Sequence, residues 1–161
     1  TTPVNGAVAD GANSNSVQAV VSDSEGNAVA GAAVVFSSAN ATAQITTVIG
    51  TTGADGIATA TLTNTVAGTS NVVATIDTVN ANIDTAFVPG VVATITLTTP
   101  VNGAVADGAN SNSVQAVVSD SDGNPVTGAA VVFSSANATA QITTVIGTTG
   151  ADGIATATLT N

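Results

Sequence analysis

The chain has 161 residues, enough for one ordinary domain or two small ones at typical sizes of ~100–150 residues. It carries nine Asp and one Glu but no Lys, Arg, His, Cys, Met, Trp or Tyr, for a formal charge of −10. With no cation to neutralise phosphate, nucleic-acid binding and adhesion to anionic membranes are argued against. The missing His, Cys and Lys remove the imidazole base, thiol nucleophile, Schiff-base amine and thiolate metal site, and no disulfide can form.

The chain is not a solvated acidic tail, because 44% of it is hydrophobic and only 6% charged. Its apolar residues are mostly Val and Ala, accompanied by 28 Thr, and only three are Leu, a balance that favours strands. No apolar run approaches the ~20 residues of a membrane span, and no signal peptide is present. An export signal would have to be removed or lie outside the segment.

Short runs alternate apolar and polar residues and close on turn residues. Asn5-Gly6 is a turn expected to help set strand register. Val17, Ala19 and Val21 point one way and Gln18, Val20 and Ser22 the other, before the turn Asp23-Ser24-Glu25-Gly26-Asn27. Val34 and Phe36 mark the inner face of the next strand, and a further strand covers residues 45–51. After Gly53-Ala54-Asp55-Gly56, the inner residues Ala58, Ala60 and Leu62 alternate with Thr59, Thr61 and Thr63. Val72, Ala74 and Ile76 form another run, and Ile83, Thr85 and Phe87 lead to Pro89-Gly90. Residues 91–97 open the next strand, with Val92 or Ala93, Ile95 and Leu97 on one face. About seven short strands with turns every ~8–12 residues predict an all-β antiparallel sandwich.

Residues 1–64 realign on residues 98–161 at an offset of 97, with three differences: Glu25 against Asp122, Ala28 against Pro125, and Ala30 against Thr127. A period of 97 exceeds the ~20–50 residues of a solenoid coil and fits an independently folding bead. The expected organisation is a tandem array, 1–89 as a repeat lacking its first strand and 90–161 as a second lacking its last two. The cut points have two readings: a window on a longer array, or open sheet edges filled by strands from a neighbouring chain. In isolation, a chain with such exposed faces and edges is expected to be unstable or sticky.

Several stretches carry a family resemblance. These are Val21-Ser22-Asp23-Ser24-Glu25-Gly26-Asn27-Ala28-Val29 and its copy Ser119-Asp120-Ser121-Asp122-Gly123-Asn124-Pro125-Val126, followed by Val34-Val35-Phe36-Ser37. Thr51-Thr52-Gly53-Ala54-Asp55-Gly56-Ile57-Ala58-Thr59-Ala60-Thr61-Leu62 and Ala67-Gly68-Thr69 agree with them. Throughout its length the chain resembles the bacterial Ig-like domains of group 1, the repeats of invasin- and intimin-type adhesins. The resemblance implies Ig-like sandwiches in the exposed, extracellular part of a bacterial surface protein. Nothing in the chain resembles the lectin-like end that carries the family's cell-binding tip.

Only carboxylates, hydroxyls, amides and backbone remain for site chemistry. The turns of Asp23 and Glu25, Asp55 and Asp77 are expected at the end where the chain enters each sandwich, with Asp10 and Asp107 opposite. That would bring Asp120, Asp122 and Asp152 toward Asp10 at the junction of beads, a candidate Ca²⁺ site. The competing explanation is ordinary turn chemistry, in which Asp and Asn bond their own backbone. Glycine at the fourth position of Asp120-Ser121-Asp122-Gly123-Asn124 does not match the EF-hand loop. Catalysis is not expected: the carboxylates lie at hairpin tips, and Phe36, Phe87 and Phe133 look like core rather than sugar-stacking platforms.

Two function classes result. The first is a passive spacer that holds a binding domain away from the cell, each bead adding ~40 Å if units align end to end. The second is an extracellular filament whose beads themselves make the contacts. Neighbouring repeats or other copies of the chain would be the partners, with no nucleic acid, membrane insertion or small-molecule substrate. A receptor-binding module is disfavoured because Trp, Tyr and Arg, the usual hot-spot residues, are absent. Mutual repulsion of ten carboxylates is expected to be relieved by salt and by low pH.

Overall fold

A computed structural model describes residues 1–161, and these form two compact units, Thr1–Val88 and Pro89–Asn161. Every element is a strand, so no helix is long and apolar enough to cross a membrane.

The first unit contains β1 (Ala7–Val8), β2 (Ser14–Val20), β3 (Val35–Ser38), β4 (Gln44–Ile49), β5 (Ile57–Thr63), β6 (Gly68–Ile76) and β7 (Val79–Val88). One sheet has the order β1-β7-β6-β3 and the other β2-β5-β4, giving an Ig-like sandwich. Period-two alternation drives this layering: Ala58, Ala60 and Leu62 of β5 are buried, whereas Thr59, Thr61 and Thr63 between them are partly exposed. Val17, Val34, Phe36, Val72 and Phe87 complete the sealed core, with Ala19, Val21, Ala74, Ile76 and Ile83 half-buried against it. The inner faces expected from the sequence are those observed.

Asn5-Gly6 does something other than a hairpin turn. Thr1 and Val4 pair with Gln18 and Ser16 of β2, whereas β1 runs parallel to β7 in the opposite sheet. Gly6, with φ of +84°, therefore lies where the chain crosses between sheets, and its N–H donates to the Ala86 carbonyl at 3.0 Å. The β1–β7 pair is also new, since two residues are too few to show alternation.

The second unit contains β8 (Thr94–Val101), β9 (Ser111–Ser119), β10 (Gln141–Ile146) and β11 (Ile154–Thr160), in one sheet of order β10-β11-β9-β8. Ser111–Ser119 repeats β2, Gln141–Ile146 repeats β4 and Ile154–Thr160 repeats β5. Residues 132–135 match β3 in sequence but form no strand, because the unit contains no counterpart of β6 to pair with them. The consequence corrects two readings of the sequence. Phe133 is only half-buried where Phe36 is sealed, and Ile95 and Leu97 are 58% and 64% exposed because no opposing sheet covers them.

Candidate functional site

The acidic residues singled out by the sequence all sit in turns. In the first unit β2 pairs with β5 in a register running from Val20↔Ile57 to Ser14↔Thr63. That register sets the Asp23 and Asp55 turns at one end and Asp10 at the other. Asp10 Oδ1 accepts from the N–H groups of Ala12 at 2.9 Å and Asn13 at 2.7 Å, while Oδ2 accepts from Asn13 Nδ2 at 2.6 Å. These bonds, led by the Asn13 N–H, hold its pKa below the usual carboxylate value, and Asp107 repeats the arrangement with Asn110 and Ala109.

Asp120 is the carboxylate most enclosed by protein, at 2% exposure. Its Oδ1 accepts from the N–H groups of Asp122 at 3.0 Å and Asn124 at 2.8 Å. Its Oδ2 accepts from the Gly90 N–H at 2.8 Å and Asn124 Nδ2 at 3.0 Å. Burial opposes its ionisation, but the Gly90, Asn124 and Asp122 bonds together outweigh burial and lower its pKa. Asp122 accepts only from the Ser121 hydroxyl at 3.3 Å, and Asp152 caps its own turn by accepting from the Ile154 N–H at 3.0 Å. Asp120, Asp122 and Asp152 do not gather into a group of three able to hold a metal ion. Asp10 and Asp152 bond within their own loops, whereas Asp120 bonds both its own turn and the Gly90 N–H.

Polar residues that alternation alone does not reveal tie the first unit's sheets together. Asn15, fully buried on β2, accepts from the Ala7 N–H at 2.9 Å and donates from Nδ2 to Thr85 Oγ1 at 2.6 Å and the Ala86 carbonyl at 2.9 Å. Asn5 Oδ1 accepts from Thr85 Oγ1 at 3.1 Å and the Ala86 N–H at 2.7 Å. A second cluster has Asn40 and Asn64 both donating to Ser70 Oγ, at 3.2 and 3.0 Å. For Asn15 the sequence signal is an amide on the core side of an alternating strand, in phase with Val17 and Ala19.

Two open apolar surfaces complete the inventory. In the first unit a groove of about 300 Å³ is lined by Val17, Ala19, Phe36, Val72, Ala74 and Ile83. In the second unit β8 pairs Ile95 with Val118 and Leu97 with Ala116, the counterparts of Val21 and Ala19. The first unit's groove is thus the space that such a strand fills. In the second unit a larger groove of about 620 Å³ is lined by Ile95, Leu97, Val114, Phe133, Ile142 and Leu159. It is the core face that β6 and β7 cover in the first unit.

Tandem copies of one β-sandwich pattern define a structural module of the immunoglobulin-like class. The family model for the bacterial Ig-like domain (group 1) matches residues 1–88 and again residues 94–161, and the chain belongs to that family. Among solved structures, invasin, described as a bacterial integrin-binding protein, is 28% identical, with 100% of this chain and 33% of its own covered and a TM-score of 0.50. InvD of Yersinia pseudotuberculosis is 25% identical over 97% of this chain and 46% of its own, with a TM-score of 0.74. The Escherichia coli adhesin FdeC, 23% identical over 99% of this chain and 53% of its own with a TM-score of 0.59, shares the fold. The chain thus spans between a third and about half of the length of these three chains. No match was found among curated protein sequences.

Proposed function

We propose that the chain is part of the stalk of a bacterial surface adhesin, a non-enzymatic spacer that carries a binding domain away from the cell. The observation that carries this reading is the tandem near-identity of two group 1 Ig-like repeats, which differ at three positions in 64. A spacer needs copies that fold alike and bind nothing, whereas a recognition surface needs distinct anchors. Trp, Tyr and Arg, the residues that dominate binding hot spots, are all missing. Likeness to InvD and to the integrin-binding invasin supports an extracellular setting.

Electron microscopy with light scattering on an array of complete 97-residue repeats tests the proposal. Isolated thin rods of monomer mass are expected, and regular fibres growing with concentration would overturn it.

A further inference from the structure

Five of the nine aspartates precede a glycine: Asp10, Asp55, Asp107, Asp122 and Asp152. At such a step the glycine nitrogen can attack the aspartate Cγ, because glycine has no Cβ to obstruct the approach. The attack needs a glycine nitrogen released from its hydrogen bond and a carboxyl group free to swing toward it. Four of the five turns withhold both. Asp10 has its carboxylate taken by Ala12 and Asn13, and the Gly11 N–H donates to the Asn64 carbonyl at 3.0 Å. Asp107 holds the same carboxylate bonds with Ala109 and Asn110. Asp55 Oδ1 accepts from the Ile57 N–H and Asp152 Oδ1 from the Ile154 N–H, each at 3.0 Å. The glycines that follow them, Gly56 and Gly153, are buried and donate to the Gly53 and Gly150 carbonyls at 3.0 Å.

The Asp122-Gly123 step lacks these restraints. Its carboxylate accepts nothing from the backbone and only the Ser121 hydroxyl at 3.3 Å. Both residues are exposed, and a Cβ built on Gly123 would meet no atom within 4 Å. The Gly123 N–H reaches the Asp120 carbonyl at 3.3 Å, past the usual ~2.7–3.2 Å of an N–H···O bond. The equivalent turn of the first unit carries Glu25-Gly26. Glutamate is one methylene longer, so the same attack would close a six-membered ring, which forms far more slowly than the five-membered one. Of the three differences between the copies, this one therefore separates an inert turn from a reactive turn.

We propose that Asp122-Gly123 is a site of spontaneous isomerisation of aspartate to isoaspartate, with solvent water as the only co-reactant. The Gly123 nitrogen bonds to Cγ of the protonated Asp122 carboxyl and gives up its proton, the Cγ–OH bond breaks, and one water leaves. Water then adds to the succinimide ring so formed. Opening at Cγ restores aspartate. Opening at the main-chain carbonyl carbon leaves Gly123 joined through Cγ, so the backbone gains one methylene and the composition is unchanged. The added carbon falls between the Asp122 and Asn124 N–H groups, which bond Asp120 Oδ1 at 3.0 and 2.8 Å. Lengthening the chain between them strains both bonds, and the other Asp120 oxygen holds the Gly90 N–H at 2.8 Å. Isomerisation thus loosens the tie between Gly90 and the Asp120 turn. The proposal stands apart from the stalk reading, as it concerns the chemistry of one turn and not its cellular role.

The test incubates the full chain at neutral pH, folded and in denaturant, and maps isoaspartate by peptide mass spectrometry with electron-driven fragmentation. In the folded chain isoaspartate at residue 122 should build up at least about tenfold faster than at residues 10, 55, 107 and 152, which react only through local opening. In denaturant all five steps should react within about threefold of one another, because the restraints of the turns are gone. Deamidation at Asn5-Gly6 or Asn102-Gly103 is told apart because it changes the mass, whereas isomerisation does not. Asp122→Glu should abolish the signal at its turn, and Glu25→Asp should create a new one in the first unit. Amide exchange at Gly90 should be faster by at least about tenfold in the isomerised fraction. Equal rates at all five steps in the folded chain, the same preference for residue 122 in denaturant, or no new site in Glu25→Asp would overturn the assignment. Unchanged exchange at Gly90 would overturn its coupling to the turn.

Discussion

Asn15 and Thr85 lie 70 residues apart and on opposite sheets, and the Asn15 amide donates to the Thr85 hydroxyl at 2.6 Å inside a sealed core. This bond is one of the polar ties between the two layers of the first unit, beside those of Asn15 to Ala7 and Ala86. Asn15→Ala would leave the Ala7 N–H without its acceptor and strip the Thr85 hydroxyl of its donor, leaving it only its bond to Asn5, and should cost the first unit about 2–3 kcal/mol. Asn112→Ala removes only the bond to Ala104 and should cost the second unit about 1 kcal/mol or less. Thermal unfolding of both variants, with each unit followed separately by amide exchange, checks the asymmetry.

Gly56 holds φ of +70°, and a Cβ built there would sit 2.5 Å from the Val21 carbonyl oxygen. Gly153 repeats the situation, at φ of +71° and 2.5 Å from the Val118 oxygen. Because the obstacle is backbone, the clash cannot be relieved by a side-chain rotation. Gly56→Ala should destabilise the first unit by about 2 kcal/mol or more, and Gly153→Ala should do the same to the second. Chemical denaturation of each variant provides the measurement.

Pro125 stands where the first repeat has Ala28, so the chain already shows that proline fits that turn. Both turns keep the same bonds: Val29 N–H to the Val21 carbonyl in one, and Val126 N–H to the Val118 carbonyl in the other, each at 3.0 Å. Ala28→Pro should therefore stabilise the first unit by about 0.4–1 kcal/mol by restricting the unfolded chain. A lower melting temperature for this variant would show that the turns differ more than their hydrogen bonds do.

Charge repulsion alone predicts that acid stabilises the protein, and the turn geometry reverses that sign. Asp10, Asp23, Asp107 and Asp120 all have pKa values lowered from 3.8 by hydrogen bonds to the ionised form. A depressed carboxylate pKa contributes stability that is complete above the unfolded value and is lost as pH falls through the folded one. At physiological ionic strength the repulsion between exposed carboxylates is screened, so the local bonds dominate. The melting temperature should fall as pH is lowered below about 3.8, and a rise would show that repulsion governs.

At neutral pH the repulsion has no competitor of opposite sign, because no basic side chain is present. Raising salt from about 10 to about 500 mM should increase the melting temperature. A flat or falling dependence measured by calorimetry would contradict this.

Much of the sandwich was legible in the sequence because small apolar residues alternate strictly in Ala58, Ala60 and Leu62, and Val34 with Phe36 marks the strand beneath the hairpin. Alternation cannot report which face has a partner. Ile95 and Leu97 carry a core pattern yet stand exposed, because what covers a strand is decided elsewhere in the chain. Nor does it report polar core residues: Asn15 occupies an inner position that a hydrophobic pattern passes over. The carboxylates were easier to place than to interpret. Spacing put Asp120 and Asp122 in one turn, whereas only coordinates show that Asp120 is occupied by its own loop and by Gly90.

The spacer reading is tested most directly by small-angle scattering from arrays of two, four and six complete repeats at several concentrations. The account predicts a maximum dimension that grows by a constant increment of ~40 Å per repeat, with a mass independent of concentration. A dimension that does not grow with repeat number, or a mass that rises with concentration, would contradict it.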